Sequence, residues 1–206
     1  MAASLARLIH MGGLKKFALD LLFPRRCLGC LEFLVDDSPK YLCRPCWRSV
    51  SFQTGFACAF CLAPVAAGKI CPFCIKDHHL DRLLVTAGYE SKLVERVLKV
   101  LKYRFVKDAA DDIADLMAKY LKPKIETLNL EPEAVVITAV PLHRRRLNWR
   151  GFNQSEIIAR KIARHFGWPA SFEILRRNRR RRAQADIKDK DSRIKNVSGI
   201  FVCPEP

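Results

Sequence analysis

Eight of the nine cysteines stand in four C-x-x-C pairs, Cys27/Cys30, Cys43/Cys46, Cys58/Cys61 and Cys71/Cys74, all within the first 80 residues. A C-x-x-C turn presents two thiolates on one side of a tight knuckle, and two knuckles supply the four sulfurs of a tetrahedral Zn²⁺ site. Eight sulfurs therefore make two sites. The spacers between successive pairs are 12, 11 and 9 residues, enough for a hairpin excursion between knuckles. Sequential pairing, first with second and third with fourth, is the preferred arrangement; an interleaved cross-brace uses the same ligands and stays open. Four cysteines around an ion leave no position for water, so both zinc ions are read as structural.

The stretch between Cys27 and Cys74 breaks its short apolar runs with Gly and Pro and cannot build a large core by itself. Zinc binding, worth roughly 10–16 kcal/mol per site in finger peptides, compensates for that deficit. A disulfide framework, an iron–sulfur cluster and a thioredoxin-like redox pair compete for the same cysteines. The N-terminus has charges scattered through it and no clear small-residue cleavage site, which places the chain in a reducing cytoplasm. No run approaches the 18 or so apolar residues of a membrane-spanning helix, so none is expected. His78 and His79 read as surface residues, and Cys203, alone in an apolar stretch, as a small buried one.

Charge is unevenly placed in a chain of 206 residues with a formal net charge of +16. Residues 1–80 carry ten basic and five acidic side chains, residues 81–140 ten of each, and residues 141–206 seventeen basic and six acidic. Thiolates and zinc ions leave the cysteine-rich part nearly neutral, so a polyanionic partner would meet the C-terminal third.

Helical spacing of Leu5, Leu8, Ile9, Phe17, Leu21 and Leu22 predicts an amphipathic helix over 5–22, stopped by Pro24. The organisation expected is thus a helix in 1–23, two zinc ribbons in 24–80 and an α/β domain in 81–206. In the last, strands are expected at 83–89, 134–140 and 171–175. Helices are expected at 91–103, 108–121 and 153–166, and a short apolar stretch at 200–203. A linker holding Pro123 and Pro132 is expected before the second strand. Strand, helix, strand in this order predicts βαβ units and a parallel sheet. Asp111, Asp112 and Asp115 fall in the first turns of a helix, where they suit its dipole.

Between Val140 and the helix at 153 lies an arginine-rich loop, PLHRRRLNWRGF. Asn153 is placed to cap that helix, with Glu156 completing a capping-box-like signature. Ligands of open α/β sheets gather beyond the carboxyl ends of strands, and a helix N-terminus attracts phosphate. Arg144, Arg145 and Arg150, with Gly151, Asn153 and Gln154, are therefore candidates for holding a phosphate or pyrophosphate. The run from Arg176 to Arg182 contains no aromatic residue and so lacks a stacking platform for bases.

In Asp20–Cys30 (DLLFPRRCLGC), the later cysteine pairs, Leu101–Tyr103 (LKY), Val140–Gln154 (VPLHRRRLNWRGFNQ), and Gln184, Arg193, Asn196 and Phe201, the chain resembles the ComF family. These are competence-associated, phosphoribosyltransferase-like proteins with an N-terminal double zinc ribbon. The resemblance implies a type I phosphoribosyltransferase-like parallel sheet with flanking helices, a pyrophosphate loop at 141–153 and a flexible loop at 176–196. It also implies phosphoribosyl pyrophosphate as ligand, with Mg²⁺ in a full-length form, and a role in DNA uptake. The family's acidic pair and Thr/Gly-rich phosphoribosyl loop would follow the strand at 199–203, and the sequence stops at Pro206. The expectation is an incomplete sheet, with no catalytic residue assignable and no transferase activity in this truncated form, which is either a fragment or a natural short form. The alternative is a non-enzymatic adaptor binding single-stranded DNA through its basic third, with the ribbons docking a protein partner such as a competence component.

Overall fold

The computed structural model describes residues 25–34, 41–104, 106–125, 127–128, 131–179, 181 and 187–204. The helix expected at 5–22, and with it the first expected segment 1–23, lies outside the described residues. Two cysteine modules open the described chain. In each, the first C-x-x-C pair sits at the tip of a small antiparallel hairpin, bridged at Arg26–Phe33 in one and Ala57–Pro64 in the other. Helix α1 (Arg44–Arg48) carries Cys46 of the second knuckle in the first module, and a single 3₁₀ turn, Cys74–Lys76, begins at Cys74 in the second.

Three helices form the body. Helix α2 (Lys92–Tyr103) is capped by the Ser91 hydroxyl and buries Val97, Val100 and Leu101. Helix α3 (Ala109–Ile125) runs further than expected and takes Pro123 into its last turns, so the expected linker begins later. Helix α5 (Gln154–Phe166) begins at the expected Asn153 cap and ends at Gly167, whose left-handed backbone (φ 70°) closes the last turn. Small residues let α3 and α5 approach closely: Ala114 and Ala118 of α3 meet Ile162 of α5 in one buried cluster. Asp111 of α3 and Lys161 of α5 form an ion pair across this contact.

Ahead of α5, residues expected as an arginine loop fold into a short helix, α4 (Arg144–Arg150). His143 Nδ1 accepts from the Arg145 amide at 3.2 Å, and Gly151 ends the helix at φ 74°. The loop reading missed the helix because its N-cap is a histidine, outside the usual capping residues.

The expected strands behave differently from one another. The segment 83–89 joins no parallel sheet among the described residues; it starts instead against the second cysteine module. Lys69 and Arg82 form an antiparallel bridge, Leu83 N–H donates to Gly68 O at 2.9 Å, and Gln53 N–H donates to Thr86 O at 3.0 Å. Gly68 is required there: its φ is +71°, and a Cβ would stand 2.6 Å from Leu83 O. The segment 134–140 makes a parallel bridge, Ile137 with Ala170, across the α4–α5 crossover. Arg176–Arg177 (β1) and Phe201–Val202 (β2) then pair antiparallel. Of residues 171–175, expected as a strand, Ser171 N–H donates to Ile137 O at 2.9 Å and 172–175 are bends that precede β1. A further helix, α6 (Lys190–Val197), lies within the arginine-rich tail, where no helix was expected. The βαβ pattern is thus present as one bridge, and the sheet among the described residues is two-stranded.

Packing separates the two modules. Cys27, Leu42 and Val50 of the first share a buried cluster with Val97 of α2 and Leu116 of α3. The second has its own small cluster, Cys58, Ile70 and Cys71, flanked by Ala59, Phe60 and Val65. One module is part of the main core and the other is a satellite. Among the described residues no helix is long and apolar enough to cross a membrane. Cys203 is exposed, contrary to expectation, because β2 pairs on one side only and leaves its end in solvent.

Candidate metal centres

The structure brings Cys27, Cys30, Cys43 and Cys46 together, and likewise Cys58, Cys61, Cys71 and Cys74, with the sulfurs of each group within 4.8 Å of one another. This is the sequential arrangement rather than the interleaved one. His78 and His79 belong to neither group; His78 stacks on Phe60 with ring centroids 3.5 Å apart.

The spacing suits zinc. Tetrahedral Zn–S bonds of about 2.3 Å place sulfurs roughly 3.8 Å apart. Cys30 and Cys43 Sγ are 3.7 Å apart, and Cys61 and Cys71 Sγ 3.6 Å.

Both first knuckles are built alike. Cys27 N–H donates to Glu32 O and Leu31 N–H to Cys27 O; Cys58 N–H donates to Ala63 O and Leu62 N–H to Cys58 O. Leu31 (φ 68°) and Leu62 (φ 63°) occupy the left-handed region at equivalent positions. For leucine that costs on the order of 1–2 kcal/mol, and the bonds closing each knuckle hold it there. Amides also aim at the sulfurs: Gly29 and Cys43 N–H each lie 3.3 Å from Cys27 Sγ.

Electrostatics explain why the groups need a cation. Burial alone would raise the Cys27 thiol, but the amides of Cys43, Cys30 and Gly29 overcome it and bring the pKa to about 6. The amides of Cys61, Cys71 and Phe60 bring Cys58 to about 6 as well. The last cysteine of each group goes the other way. Cys46 is pushed up to about 12 by burial and its sulfur neighbours, and Cys74 to about 12 by hydrogen bonding to Cys71 and by burial. Four sulfurs in one place cannot all ionise alone; a divalent ion reverses that balance and releases the remaining protons.

These geometries accord with the sequence comparison. Residues 18–75 match the double zinc ribbon domain. The N-terminal part of the chain is a zinc-binding double zinc ribbon, and its two four-cysteine sites suit two structural zinc ions. No curated protein and no solved structure matches the chain.

The first ribbon is clamped to the body by two helices, α2 and α3. Arg96 of α2 donates to Leu28 O at 2.9 Å and Gly29 O at 3.0 Å. Gly29 lies so close that a Cβ would meet Cys46 Sγ at 2.6 Å and Leu93 Cδ1 at 3.1 Å. From α3, Asp112 accepts the Tyr41 amide at 3.0 Å, and its side chain is fully buried. Burial, against the Tyr41 bond, raises that carboxyl to about 7, helped by Asp115, Asp111 and Cys27. Sequence reasoning placed Asp112 on a helix dipole and missed this buried role; its hydrophobic neighbours Ile113 and Leu116 were the available signal.

The arginine-rich residues divide by exposure. Arg144 and Arg145 are exposed on α4, and Gly151 ends it. Arg150 is only 7 % exposed, donates to Gln154 Oε1, and leaves Nε buried without a partner. Burial and the charge of Arg146 both lower its proton affinity, while Tyr103 opposes them. Asn153 is buried, accepts from Ser155 N–H at 3.1 Å and donates to Val140 O at 3.1 Å, fastening the head of α5 to segment 134–140. Glu156 pairs with Arg160 rather than completing a capping box.

Proposed function

We propose that the chain is a ComF-like protein in which a double zinc ribbon is docked on a body related to phosphoribosyltransferases, and that this body holds an anion at the head of α5. Arg150 carries the reading. A buried guanidinium with an unpartnered Nε is costly unless something negative reaches it, and it stands four residues from the first turn of a thirteen-residue helix whose free amides attract phosphate. Arg144, Arg145, Gly151, Asn153 and Gln154 would complete the cradle. The parallel bridge across the α4–α5 crossover supports the phosphoribosyltransferase relationship, since anion loops of such folds follow a strand end. The expected ligand is the diphosphate of phosphoribosyl pyrophosphate, with Mg²⁺ accompanying it, and the cellular setting is DNA uptake in the cytoplasm.

Calorimetry on the zinc-loaded chain with phosphoribosyl pyrophosphate, with and without Mg²⁺, tests this. One equivalent bound, and lost in Arg150→Gln, is the expected outcome. Because Arg150 is buried, Arg144→Gln serves as the exposed companion, with a weaker loss. No binding by the wild type would overturn the reading.

One observation favours the adaptor alternative. Trp149 is 61 % exposed on α4 beside Arg145 and Arg146, and an aromatic face among cations is a platform for unpaired bases. Binding confined to single-stranded DNA, with a steep salt slope and loss in Trp149→Ala, would select it.

A further inference from the structure

Between the first ribbon and the body lies a cavity of about 180 Å³, lined by apolar side chains and Thr86. Four of its walls, Leu42, Val50, Val97 and Leu116, belong to the buried cluster that also holds Cys27. On its other sides stand Val94 and Leu98 of α2 and Ile113 and Met117 of α3, all half-buried. An aliphatic cavity of about 150 Å³ takes up benzene and otherwise stays dry, so this one is sized for an aromatic ring. Without such a group its walls forgo the contacts that close packing would supply.

The start of the described chain points to the occupant. Arg25 O accepts from Leu34 N–H at 2.9 Å, and Leu34 packs against the same cluster as Cys27. The chain therefore enters the fold at the edge of the cluster that walls the cavity. Twenty-four residues precede Arg25. Among them Leu14, Phe17, Ala18, Leu21 and Leu22 follow the i, i+3, i+4, i+7, i+8 spacing of an apolar helix stripe, with Lys15, Lys16 and Asp20 between them. That stripe needs an apolar surface to cover it. Leu22 stands five residues before Cys27, a span of at most about 17 Å of extended chain. A segment tethered so closely meets the cavity at a high effective concentration, which favours it over any separate molecule.

We propose that the cavity is the docking site of the chain's own N-terminal segment, with the apolar stripe of residues 14–22 laid on α2 and α3 and the Phe17 ring filling the space. The segment would then act as a strap that joins the first ribbon to both helices. It is independent of the anion site at the head of α5.

The test is photocross-linking of the full zinc-loaded chain with p-benzoylphenylalanine in place of Phe17, read by peptide mass spectrometry. An intrachain link to residues 93–98 of α2 or 113–117 of α3 is expected, and the same probe in place of Lys15, on the opposite side of the stripe, should not give it. Thermal unfolding of chains without the probe is the second readout. Phe17→Ser should lower the melting temperature by several degrees, and Met117→Ala should cost less in that background than alone, because the two side chains share one contact. Lys15→Ser should leave the melting temperature unchanged. Links formed only between two chains would assign the cavity to a second copy, and additive losses without a link to α2 or α3 would leave the segment unconnected to it; either result refutes the proposal.

Discussion

Gly29 offers the sharpest perturbation of the docked ribbon. Its backbone is not left-handed, so alanine there is a steric change. The added Cβ would lie 2.6 Å from Cys46 Sγ, 2.9 Å from Cys46 Cβ and 3.1 Å from Leu93 Cδ1. The leucine methyl can yield by a few tenths of an ångström, but the sulfur cannot retreat without leaving its tetrahedron. Overpacking of this kind costs roughly 1–3 kcal/mol. For a chain near 200 residues, each kcal/mol lowers the melting temperature by about 2–4 °C, so a fall of roughly 2–12 °C is expected for Gly29→Ala. Disturbing a ligand's surroundings also weakens metal affinity by about 10–100-fold. A chelator competition should therefore strip one zinc from the variant well before the other.

The second ribbon supplies the control. The matching position there is Phe60, whose side chain stacks on His78 rather than pressing on a helix of the body. Phe60→Ala loses a stacking contact worth roughly 0.5–1.5 kcal/mol and should leave the helices undisturbed. A Gly29→Ala chain with an unchanged melting temperature and unchanged zinc retention would refute the docking of the first ribbon on α2.

Other outcomes follow from the same structure. Cys46→Ser should lose one zinc together with much of the helical circular dichroism, whereas Cys74→Ser should lose one zinc and keep it, because only the first site shares its core with α2 and α3. Asp112→Asn should be more stable than the wild type above pH 7. A carboxyl raised from 3.8 to about 7 on folding contributes stability that is fully present below the lower value and lost as pH rises to the upper one, so the advantage of the amide grows between about pH 5 and pH 7 in thermal melts and is level above that. Asn153→Ala removes the cap of α5 and the bond to Val140, and a loss of about 1–2 kcal/mol is expected in denaturant unfolding.

The zinc ligands were legible in the sequence because C-x-x-C chemistry is local and each knuckle presents two sulfurs together; which knuckles share an ion was decided only by the fold. Helices α2 and α5 were legible for a related reason, since Ser91 and Asn153 announce their starts within a few residues. What stayed hidden depends on contacts between distant segments. The apolar run at 83–89 looks the same whether it enters a parallel sheet or pairs with residues 68–70, and only the backbone of Gly68 decides. The burial of Asp112 follows from the position of Tyr41, and the closeness of the Tyr103 ring to Arg150 follows from the packing of Leu101 against Phe152.

Native mass spectrometry of the freshly purified chain, sprayed with a modest excess of pyrophosphate, tests the account most directly. The expected species is one chain carrying two zinc ions and one pyrophosphate, and the pyrophosphate should disappear in Arg150→Gln while both zinc ions remain. A chain with fewer than two zinc ions, or a two-zinc chain that retains no pyrophosphate, would contradict it.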